Sequence, residues 1–348
     1  MIERNYAMNI HECKKVVSAI IEYNLNSIDD GDYSRNIVPM LVSKPGIGKT
    51  SIIEQICKEE EYHLEVIPLA SYDAGEIAGF PMLNKEKKTY DRAKPFWLDT
   101  PNDKPVVLFF DEISQAPTAN VNVLAMLVNE RKLGEHKLND NVVIVCAGNQ
   151  MQHRAGTNPL PSHFKDRVTF FEVNEDVESF MKYANSKQIH EYILGYLRNR
   201  PGNLSVFDPA VDSCPSPRSW MRVDTILKMN LPYSLRNIAI QGQVGEAIKA
   251  DFLGYLKIAD KMPDPNDILA GNCKEIPQES MILYAVCAAL ANLVTGRNSK
   301  NFIEYISSLP NKEFAAFTIR DALHRNNKLK SDKHITDWFM SEGKELLL

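Results

Sequence analysis

The chain has no long apolar run and no clustered cysteines. None of its 348 residues belongs to a stretch near the roughly 20 apolar residues of a membrane-spanning helix, and its N-terminus lacks the apolar core of a signal peptide. The six cysteines are scattered, without the close spacing of a zinc site. Three of them, Cys57, Cys146 and Cys287, stand in apolar patterns that predict buried, reduced thiols. We therefore expect a cytoplasmic protein that does not enter a membrane.

The sequence also lacks an excess of basic charge. Its 45 Asp and Glu residues outnumber its 40 Lys and Arg residues, the formal net charge is −5, and no dense basic stripe occurs. Because nucleic-acid binding depends largely on neutralising phosphates, this balance argues against DNA or RNA as the main partner. Internal repeats and low-complexity segments are absent as well. A chain of this length is expected to form at least two domains.

The stretch from Pro39 to Glu54 has the pattern of a phosphate-binding loop. A strand-like apolar segment leads into a loop with two glycines, and the residues that follow have the composition of a helix. The start of such a helix offers backbone N–H groups and a positive dipole end to an anion, and glycines let the backbone approach it closely. The predicted nucleotide-binding residues are Lys44, Pro45, Gly46, Ile47, Gly48, Lys49, Thr50 and Ser51.

Two residues of this loop have predicted roles in chemistry. Lys49 would contact the β- and γ-phosphates of a nucleotide, and the Thr50 hydroxyl would coordinate Mg²⁺. The consensus motif begins with Gly, whereas this chain has Ser43 at that position. We expect this small residue to change only the loop geometry. The alternative is a glycine-rich turn that precedes a helix by chance.

A pair of carboxylates follows a second strand-like segment. The apolar run Val106–Phe110 ends in Asp111 and Glu112, and such runs are typical of strands buried on both faces. Carboxylates at the carboxyl end of a strand lie at the edge where open α/β sheets bind ligands. Asp111 would hold Mg²⁺ together with Thr50, and Glu112 would orient and activate an attacking water. The alternative is a pair that only caps the strand.

The alternation of patterns predicts the fold class. Strand-like runs at 64–69, 106–110, 142–147 and 168–173 alternate with helix-like segments, which favours an α/β doubly wound parallel sheet. Residues 75–97 predict a projecting hairpin around a charged turn, with a plain solvated loop as the alternative. From about Asn174 only helical patterns remain. We therefore predict a nucleotide-binding domain at 1–173 and a helical domain at 174–348.

Taken in order, these motifs resemble the MoxR branch of the AAA+ ATPases. The similar stretches lie between Pro39 and Met221 and read KPGIGKT, VVLFFDEIS, NVNVLAMLVNERK, CAGN, NPLPSHFKDRV and SPRSW. The resemblance implies an AAA+ αβα P-loop domain followed by an all-helical lid. It also implies a hexameric ring that uses ATP and Mg²⁺ and remodels a protein client in a chaperone-like manner. Many relatives act with a partner that carries a von Willebrand factor A domain.

The resemblance also assigns roles to residues outside the loop and the carboxylate pair. Asn149 falls at the position of sensor 1, which helps to place the attacking water. Arg167 falls at the arginine finger donated to the neighbouring subunit, and Arg154 is the rival candidate. Arg218 corresponds to sensor 2, which contacts the nucleotide from the lid. Residues 75–97 resemble the helix-2 insert, which lines the pore of the ring or faces the substrate.

Three classes of function remain open at this point. The first is remodelling of a protein partner, and the second is a nucleic-acid motor or a restriction-type GTPase of a related AAA+ branch. The third is a nucleotide switch that does not hydrolyse. The acidic net charge argues against nucleic acid, and the intact Asp111–Glu112 pair with Arg167 argues against a switch. Asn149 could instead be an ordinary turn residue, and Arg167 a surface arginine paired with a nearby carboxylate.

Overall fold

The computed structural model describes residues 7–27, 33, 35–150, 159–208, 211–341 and 343. The chain divides into two compact units, Met1–Glu175 and Asp176–Leu348. The sequence patterns predict a boundary between residues 173 and 174. The first unit is built on a parallel sheet, and the described part of the second unit is helical.

The first unit alternates strands and helices. Its described elements are β1 (Met8–Asn9), α1 (Ile10–Asn26), β2 (Pro39–Ser43), α2 (Lys49–Glu59), β3 (His63–Pro68), α3 (Ala74–Ala78), β4 (Pro81–Asn84), β5 (Thr89–Arg92), β6 (Val106–Asp111), α4 (Thr118–Glu130), β7 (Lys132–Leu133), β8 (His136–Lys137), β9 (Val142–Asn149), α5 (Ser162–Lys165) and β10 (Thr169–Asn174). Six strands form one parallel sheet in the order β1-β10-β2-β9-β6-β3. The predicted α/β parallel sheet is confirmed.

The central strands are apolar on both faces because a separate core covers each face. On β9, Val143 and Val145 belong to a core shared with α1 and α2, whereas Ile144 and Cys146 belong to a core shared with α3 and α4. Successive side chains of a strand point to opposite faces, so a continuous apolar run suits a sheet covered on both sides. Because β2, β9 and β6 are neighbouring parallel strands, their carboxyl ends meet at one edge of this sheet.

Strands β4 and β5 form a separate antiparallel hairpin. Pro81 pairs with Arg92 and Asn84 with Thr89, so a four-residue turn, 85–88, connects the strands. Nearly every residue of both strands and the turn is exposed. The segment 75–97 contains the hairpin that the sequence predicts, and not the plain solvated loop that was the alternative. The short helix α3, which overlaps the start of this segment, was not predicted from the sequence.

The second unit contains helices packed around two hydrophobic cores. Its described helices are α6 (Val177–Ser186), α7 (Glu191–Asn199), α8 (Pro217–Lys228), α9 (Tyr233–Val244), α10 (Glu246–Ala259), α11 (Pro265–Ala270), α12 (Ser280–Leu293), α13 (Ser299–Ser307), α14 (Lys312–Arg325) and α15 (Lys333–Ser341). One core is built by α6 to α10 around Trp220, and the other by α11 to α15 around Phe302. The predicted helical C-terminal region is confirmed.

Two expectations from the composition concern buried, reduced cysteines and membrane-spanning helices. Cys57, Cys146 and Cys287 are buried, and all six cysteines are free thiols. Burial raises the pKa of the Cys57 thiol to about 11, which keeps it protonated and unreactive near neutral pH. Within the part of the chain that the structure describes, no helix has both the length and the apolar character needed to cross a membrane.

Candidate nucleotide-binding site

The loop between β2 and α2 has a backbone that only glycine adopts easily. Gly46 and Gly48 have φ angles of 80° and 109°, in the left-handed region that disfavours side chains. Gly48 is also the N-cap residue of α2, and no side chain caps this helix. The start of such a helix favours an anion, because its backbone N–H groups are donors and the helix dipole favours negative charge there. The loop fits the phosphates of a nucleotide.

Lys49 is held at the edge of the sheet by two neutral acceptors. Its Nζ donates to Ser43 Oγ at 2.9 Å and to Asn149 Oδ1 at 2.8 Å. Ser43 and Asn149 are register partners at the ends of β2 and β9, so the strand pairing itself brings them together. The lysine charge thus lies close to the loop without being neutralised by either of these two partners. The Ser43 hydroxyl, which the consensus Gly would lack, contributes one of the two acceptors.

Thr50 and Asp111 form the second contact of the site. The Thr50 hydroxyl donates to Asp111 Oδ2 at 2.7 Å, and Asp111 is the last residue of β6. A hydroxyl and a carboxylate oxygen are hard oxygen ligands of the kind Mg²⁺ prefers, so these residues fit the predicted metal site. Magnesium bound there would offset negative charge on the β- and γ-phosphate oxygens. The described residues contain no cluster of three or more His, Cys, Asp or Glu that could hold a metal alone.

Glu112 has a strained backbone next to this metal site. Its φ angle of 57° lies in the left-handed region, and its backbone N–H donates to Asp111 Oδ1 at 2.8 Å. Such a conformation in a residue other than glycine is uncommon and is concentrated at functional sites. The Glu112 side chain is exposed, so water can reach its carboxylate. These features suit a general base for an attacking water.

Ser114 connects the end of β6, which carries Asp111, to the end of β9, which carries Asn149. Its buried hydroxyl accepts a hydrogen bond from the Asn149 backbone N–H at 2.8 Å. A Cβ on Gly148 would lie 2.8 Å from this hydroxyl oxygen, so the close approach requires glycine at that position. The sequence analysis did not identify Ser114 or the role of Ser43. Their only sequence signal was adjacency to the carboxylate pair and to the phosphate loop.

The remaining loop residues differ in their contacts and exposure. Lys44 Nζ forms an ion pair with Glu175 Oε1 at 2.6 Å. Ile47 is buried, Ser51 is half-buried and Pro45 is exposed. The structure thus places the predicted loop residues, the carboxylate pair and Asn149 at one edge of the sheet.

The three predicted arginines lie elsewhere or outside the description. Arg167 is half-buried, and its Nη1 donates to the His163 carbonyl at 2.7 Å. Among the described residues it makes no ion pair, so the alternative of a carboxylate-paired surface arginine finds no partner there. Arg218 is exposed in the first turn of α8, in the second unit. Arg154 lies outside the described residues.

Arg167 lies at the opposite edge of the sheet from the phosphate loop. It precedes β10, whose first residue, Thr169, pairs with Pro39 at the start of β2. The phosphate loop follows the other end of β2, after Ser43. Five strand residues at about 3.3 Å each separate the two ends by roughly 16 Å. Arg167 is therefore not part of the site formed by its own chain.

Residues 39–171 match the family described as "ATPase family associated with various cellular activities (AAA)". This segment contains the phosphate loop, the carboxylate pair and Asn149. The match establishes an AAA ATPase domain with nucleotide-hydrolysing activity, and binding of ATP with Mg²⁺ is a general property of that family. AAA+ proteins typically form hexameric rings.

The solved structures that align with this chain are distant in sequence. The RuvB Holliday junction branch migration motor of Thermotoga maritima is 16% identical over 80% of this chain and 81% of that chain, with a TM-score of 0.41. PCH-2 of C. elegans is 17% identical over 84% of this chain and 72% of that chain, with a TM-score of 0.35. No curated protein sequence matches this chain significantly.

Proposed function

We propose that this chain is a MoxR-type AAA+ ATPase that acts as a ring and couples ATP hydrolysis to the remodelling of a protein client. The hydrolytic part is supported by the AAA match and by the contacts of Lys49 and Thr50. The remodelling part depends on one observation, the exposed apolar side chains of the β4–β5 hairpin. We further propose that the client or its adaptor carries a von Willebrand factor A domain, as the sequence resemblance implies.

Each residue of the site has a distinct role in this proposal. Lys49 binds the β- and γ-phosphates from the position in which Ser43 Oγ and Asn149 Oδ1 hold its Nζ. Glu112 accepts a proton from the attacking water, which requires the exposed position that it has. Asn149 orients Lys49 through its Oδ1 and helps to place the water. Arg218, exposed at the start of its helix, is proposed as the sensor 2 residue that the sequence resemblance implies.

The hairpin has the surface character of a protein-binding element. Met82, Leu83 and Tyr90 are 60%, 59% and 73% exposed, although they are large and apolar. Exposed apolar groups that lie together on one element are typical of interaction sites. Because both strands of the hairpin are exposed, a client can contact either one.

The experiment combines a trapped ATPase with a hairpin variant. Glu112→Gln should hold ATP and retain client proteins from the native cell extract, and the retained proteins are identified by mass spectrometry. Adding Met82→Ser, Leu83→Ser and Tyr90→Ser should remove those proteins while ATP affinity stays unchanged. Met126→Ser, which changes an exposed methionine on α4, is the matched control. Retention of the same proteins by the hairpin variant would contradict the proposal.

A nucleic-acid motor is the second candidate, and the turn of the same hairpin favours it. Lys85, Lys87 and Lys88 are all exposed in this turn. A few surface lysines without a wider basic field should bind DNA or RNA weakly, and moderate salt should abolish that binding. Tight, salt-resistant and nucleotide-dependent DNA binding would replace our proposal with a motor. Comparing ATP with GTP turnover tests the GTPase alternative, and an absence of turnover would favour a switch.

Arg167 is proposed to act on the nucleotide of the neighbouring subunit. The support is its position at the edge of the sheet opposite its own phosphate loop, about one strand length away. An arginine placed there can serve a nucleotide only across a subunit contact. Hydrolysis then becomes a property of the assembled ring.

A further inference from the structure

Ser114 lies between two residues with proposed roles in hydrolysis, Glu112 and Asn149. It is the middle residue of a single 3₁₀ turn, Ile113–Gln115, which directly follows Glu112. The residue is only 4% exposed, and its hydroxyl oxygen accepts a hydrogen bond from the Asn149 backbone N–H at 2.8 Å. One hydrogen bond therefore joins the segment after β6 to the end of β9.

This hydrogen bond continues the strand pairing beyond the end of β6. The last register pair between β6 and β9 is Phe110 with Cys146, whereas β9 extends to Asn149, which pairs with Ser43 on β2. A backbone N–H group that is shielded from water needs a hydrogen-bond partner. On the β6 side of Asn149, the Ser114 hydroxyl is that partner. The serine thus holds the end of β9 where no strand residue does.

The path from Glu112 to Asn149 is short and closely packed. The Gln115 backbone N–H donates to the Glu112 carbonyl at 2.9 Å, which closes the turn that carries Ser114. Next to Asn149, a Cβ on Gly148 would lie 2.8 Å from the Ser114 hydroxyl oxygen, so the hydroxyl can approach only because this residue is glycine. The Ser114 hydrogen bond is the link in this path that a single side-chain substitution can remove.

We propose that Ser114 is a positioning residue for ATP hydrolysis, which sets the Asn149 side chain relative to the Glu112 carboxylate. The proposal rests on the function proposed above, in which Glu112 is the base and Asn149 helps to place the attacking water. Both side chains must reach the same water, so their relative position controls the rate of hydrolysis. The effect of Ser114 on turnover passes through Asn149 and involves no contact with the water.

Binding of ATP should depend much less on this serine. Lys49, which is proposed to contact the phosphates, is held by Ser43 Oγ as well as by Asn149 Oδ1. A small shift of Asn149 leaves the contact with Ser43 in place. Loss of the Ser114 hydroxyl should therefore lower kcat and leave KM for ATP nearly unchanged.

Ser114→Ala removes the acceptor, and steady-state phosphate release by the full chain measures its effect. We expect kcat to fall by roughly tenfold to a hundredfold, because small displacements of positioned groups cost rate on this scale. Ser114→Cys carries a thiol, which is a weak acceptor, and should give an intermediate kcat. It also serves as the test if Ser114→Ala does not fold. The matched control is Ser299→Ala, which removes a buried hydroxyl that donates to Asp332 in the second unit and should keep the parental kcat.

A double-variant cycle shows whether the serine acts through Asn149. Asn149→Ala removes the amide that Ser114 is proposed to position, so it should itself lower kcat. Adding Ser114→Ala to Asn149→Ala should then lower kcat by no more than about another twofold, since residues that act as a unit do not have additive effects. A serine that only stabilised the fold would instead lower kcat by the same factor in both backgrounds.

The outcomes distinguish this inference from the proposed function. If Asn149→Ala is slow but folded Ser114→Ala or Ser114→Cys keeps the parental kcat, the inference is overturned and the role of Asn149 stands. Equal losses in both backgrounds, or a loss confined to KM, would also overturn it. A parental kcat in Asn149→Ala would refute the proposed role of that amide, and the positioning role of Ser114 together with it.

Discussion

At the scale of single residues, Lys49 illustrates how the site prepares for an anion. Its ammonium group is buried and hydrogen-bonded to a hydroxyl and an amide oxygen, Ser43 Oγ and Asn149 Oδ1. These two acceptors are neutral, so neither of them offsets the charge that is proposed to face the incoming phosphate. Carboxylate partners at the same positions would have neutralised that charge.

Lys49→Ala should remove nearly all ATP affinity and leave the fold intact, because it deletes the main positive charge facing the phosphates. Ser43→Gly, which installs the consensus residue, should weaken ATP binding by less than about tenfold because Asn149 still holds the lysine. Isothermal titration calorimetry measures both affinities. Unchanged ATP binding in a folded Lys49→Ala protein would disprove the phosphate-loop assignment.

Glu112→Gln should separate binding from turnover. The amide keeps the size of the side chain but accepts no proton, so ATP should bind normally while hydrolysis falls by roughly 10²-fold or more. Steady-state phosphate release and calorimetry measure the two quantities. Glu60→Gln, at an exposed carboxylate that follows α2, is the control and should hydrolyse ATP at the parental rate. Normal turnover in Glu112→Gln would assign the base to another residue.

His324 makes the stability of the second unit depend on pH. Burial, together with the nearby charges of Lys182 and Arg320, lowers the pKa of this imidazole, and its buried Nδ1 has no hydrogen-bond partner. The unfolded chain therefore takes up the proton first as the pH falls below about 6.5. The free energy of unfolding should decrease from that pH downward, until the folded state also binds the proton.

Urea denaturation between pH 7.5 and 5.5 tests this dependence. His324→Gln cannot bind the proton, so its free energy of unfolding should fall less over this interval than that of the parent protein. His334→Gln, at an exposed histidine of α15, should keep the parental pH dependence. Parallel curves for the parent and His324→Gln would contradict the prediction.

At the scale of secondary structure elements, an ion pair joins α7 to α14 inside the second unit. Arg198 donates to both carboxylate oxygens of Asp321, at 2.6 and 3.0 Å, and to Glu178 Oε1 at 2.8 Å. The ring centre of Phe317 lies 4.5 Å from its guanidinium carbon. Arg198 and Asp321 are buried, so each needs the other as its counter-charge.

Removing one member of this pair should be far more damaging than removing both. Arg198→Met leaves Asp321 buried and unpaired and should destabilise the chain by about 3–5 kcal/mol. The double variant Arg198→Met with Asp321→Leu should regain much of this loss, because no charge remains buried. Chemical denaturation gives the free energies. Lys300→Ala, which breaks an exposed pair with Glu304, should change stability by no more than about 1 kcal/mol.

At the scale of the whole molecule, the parallel sheet of the first unit separates the nucleotide site from the arginine that we propose as a finger. The phosphate loop and the carboxylate pair follow the ends of β2 and β6, whereas Arg167 precedes the start of β10. One chain therefore presents a nucleotide site at one edge and an arginine at the other. A ring of such chains could bring the arginine of one subunit to the nucleotide of the next.

Mixing two inactive variants tests this arrangement. Arg167→Ala keeps its nucleotide site, and Glu112→Gln keeps its arginine, so some sites in a mixed ring pair an intact base with an intact finger. Each variant alone should lose turnover, by on the order of 10³-fold for the arginine, and activity should reappear on mixing. If confirmed subunit exchange never raises activity above the sum of the parts, Arg167 is not a trans finger and Arg154 becomes the better candidate.

Much of the site could be predicted because its signals are local. A buried parallel strand is a short apolar run, and functional residues lie at its carboxyl end, as Asp111 and Asn149 do, or after the loop that follows it, as Lys49 does. The α/β class of the fold was predicted from the alternation of strand-like and helix-like segments along the sequence. The helical region from about Asn174 and the hairpin around the charged turn in residues 75–97 were likewise predicted from local patterns.

What only the tertiary structure decided were contacts between residues far apart in the chain. Strand order placed Ser43 beside Asn149, and the turn after β6 brought Ser114 under Gly148. The burial of Arg131, whose Nη2 donates to the carbonyl oxygens of Asn139 and Val142, could not be read from the motif that contains it. The physical reason is the same in each case. Hydrophobic period and turn chemistry act over a few residues, whereas strand pairing and the compensation of a buried charge depend on which distant segments pack together.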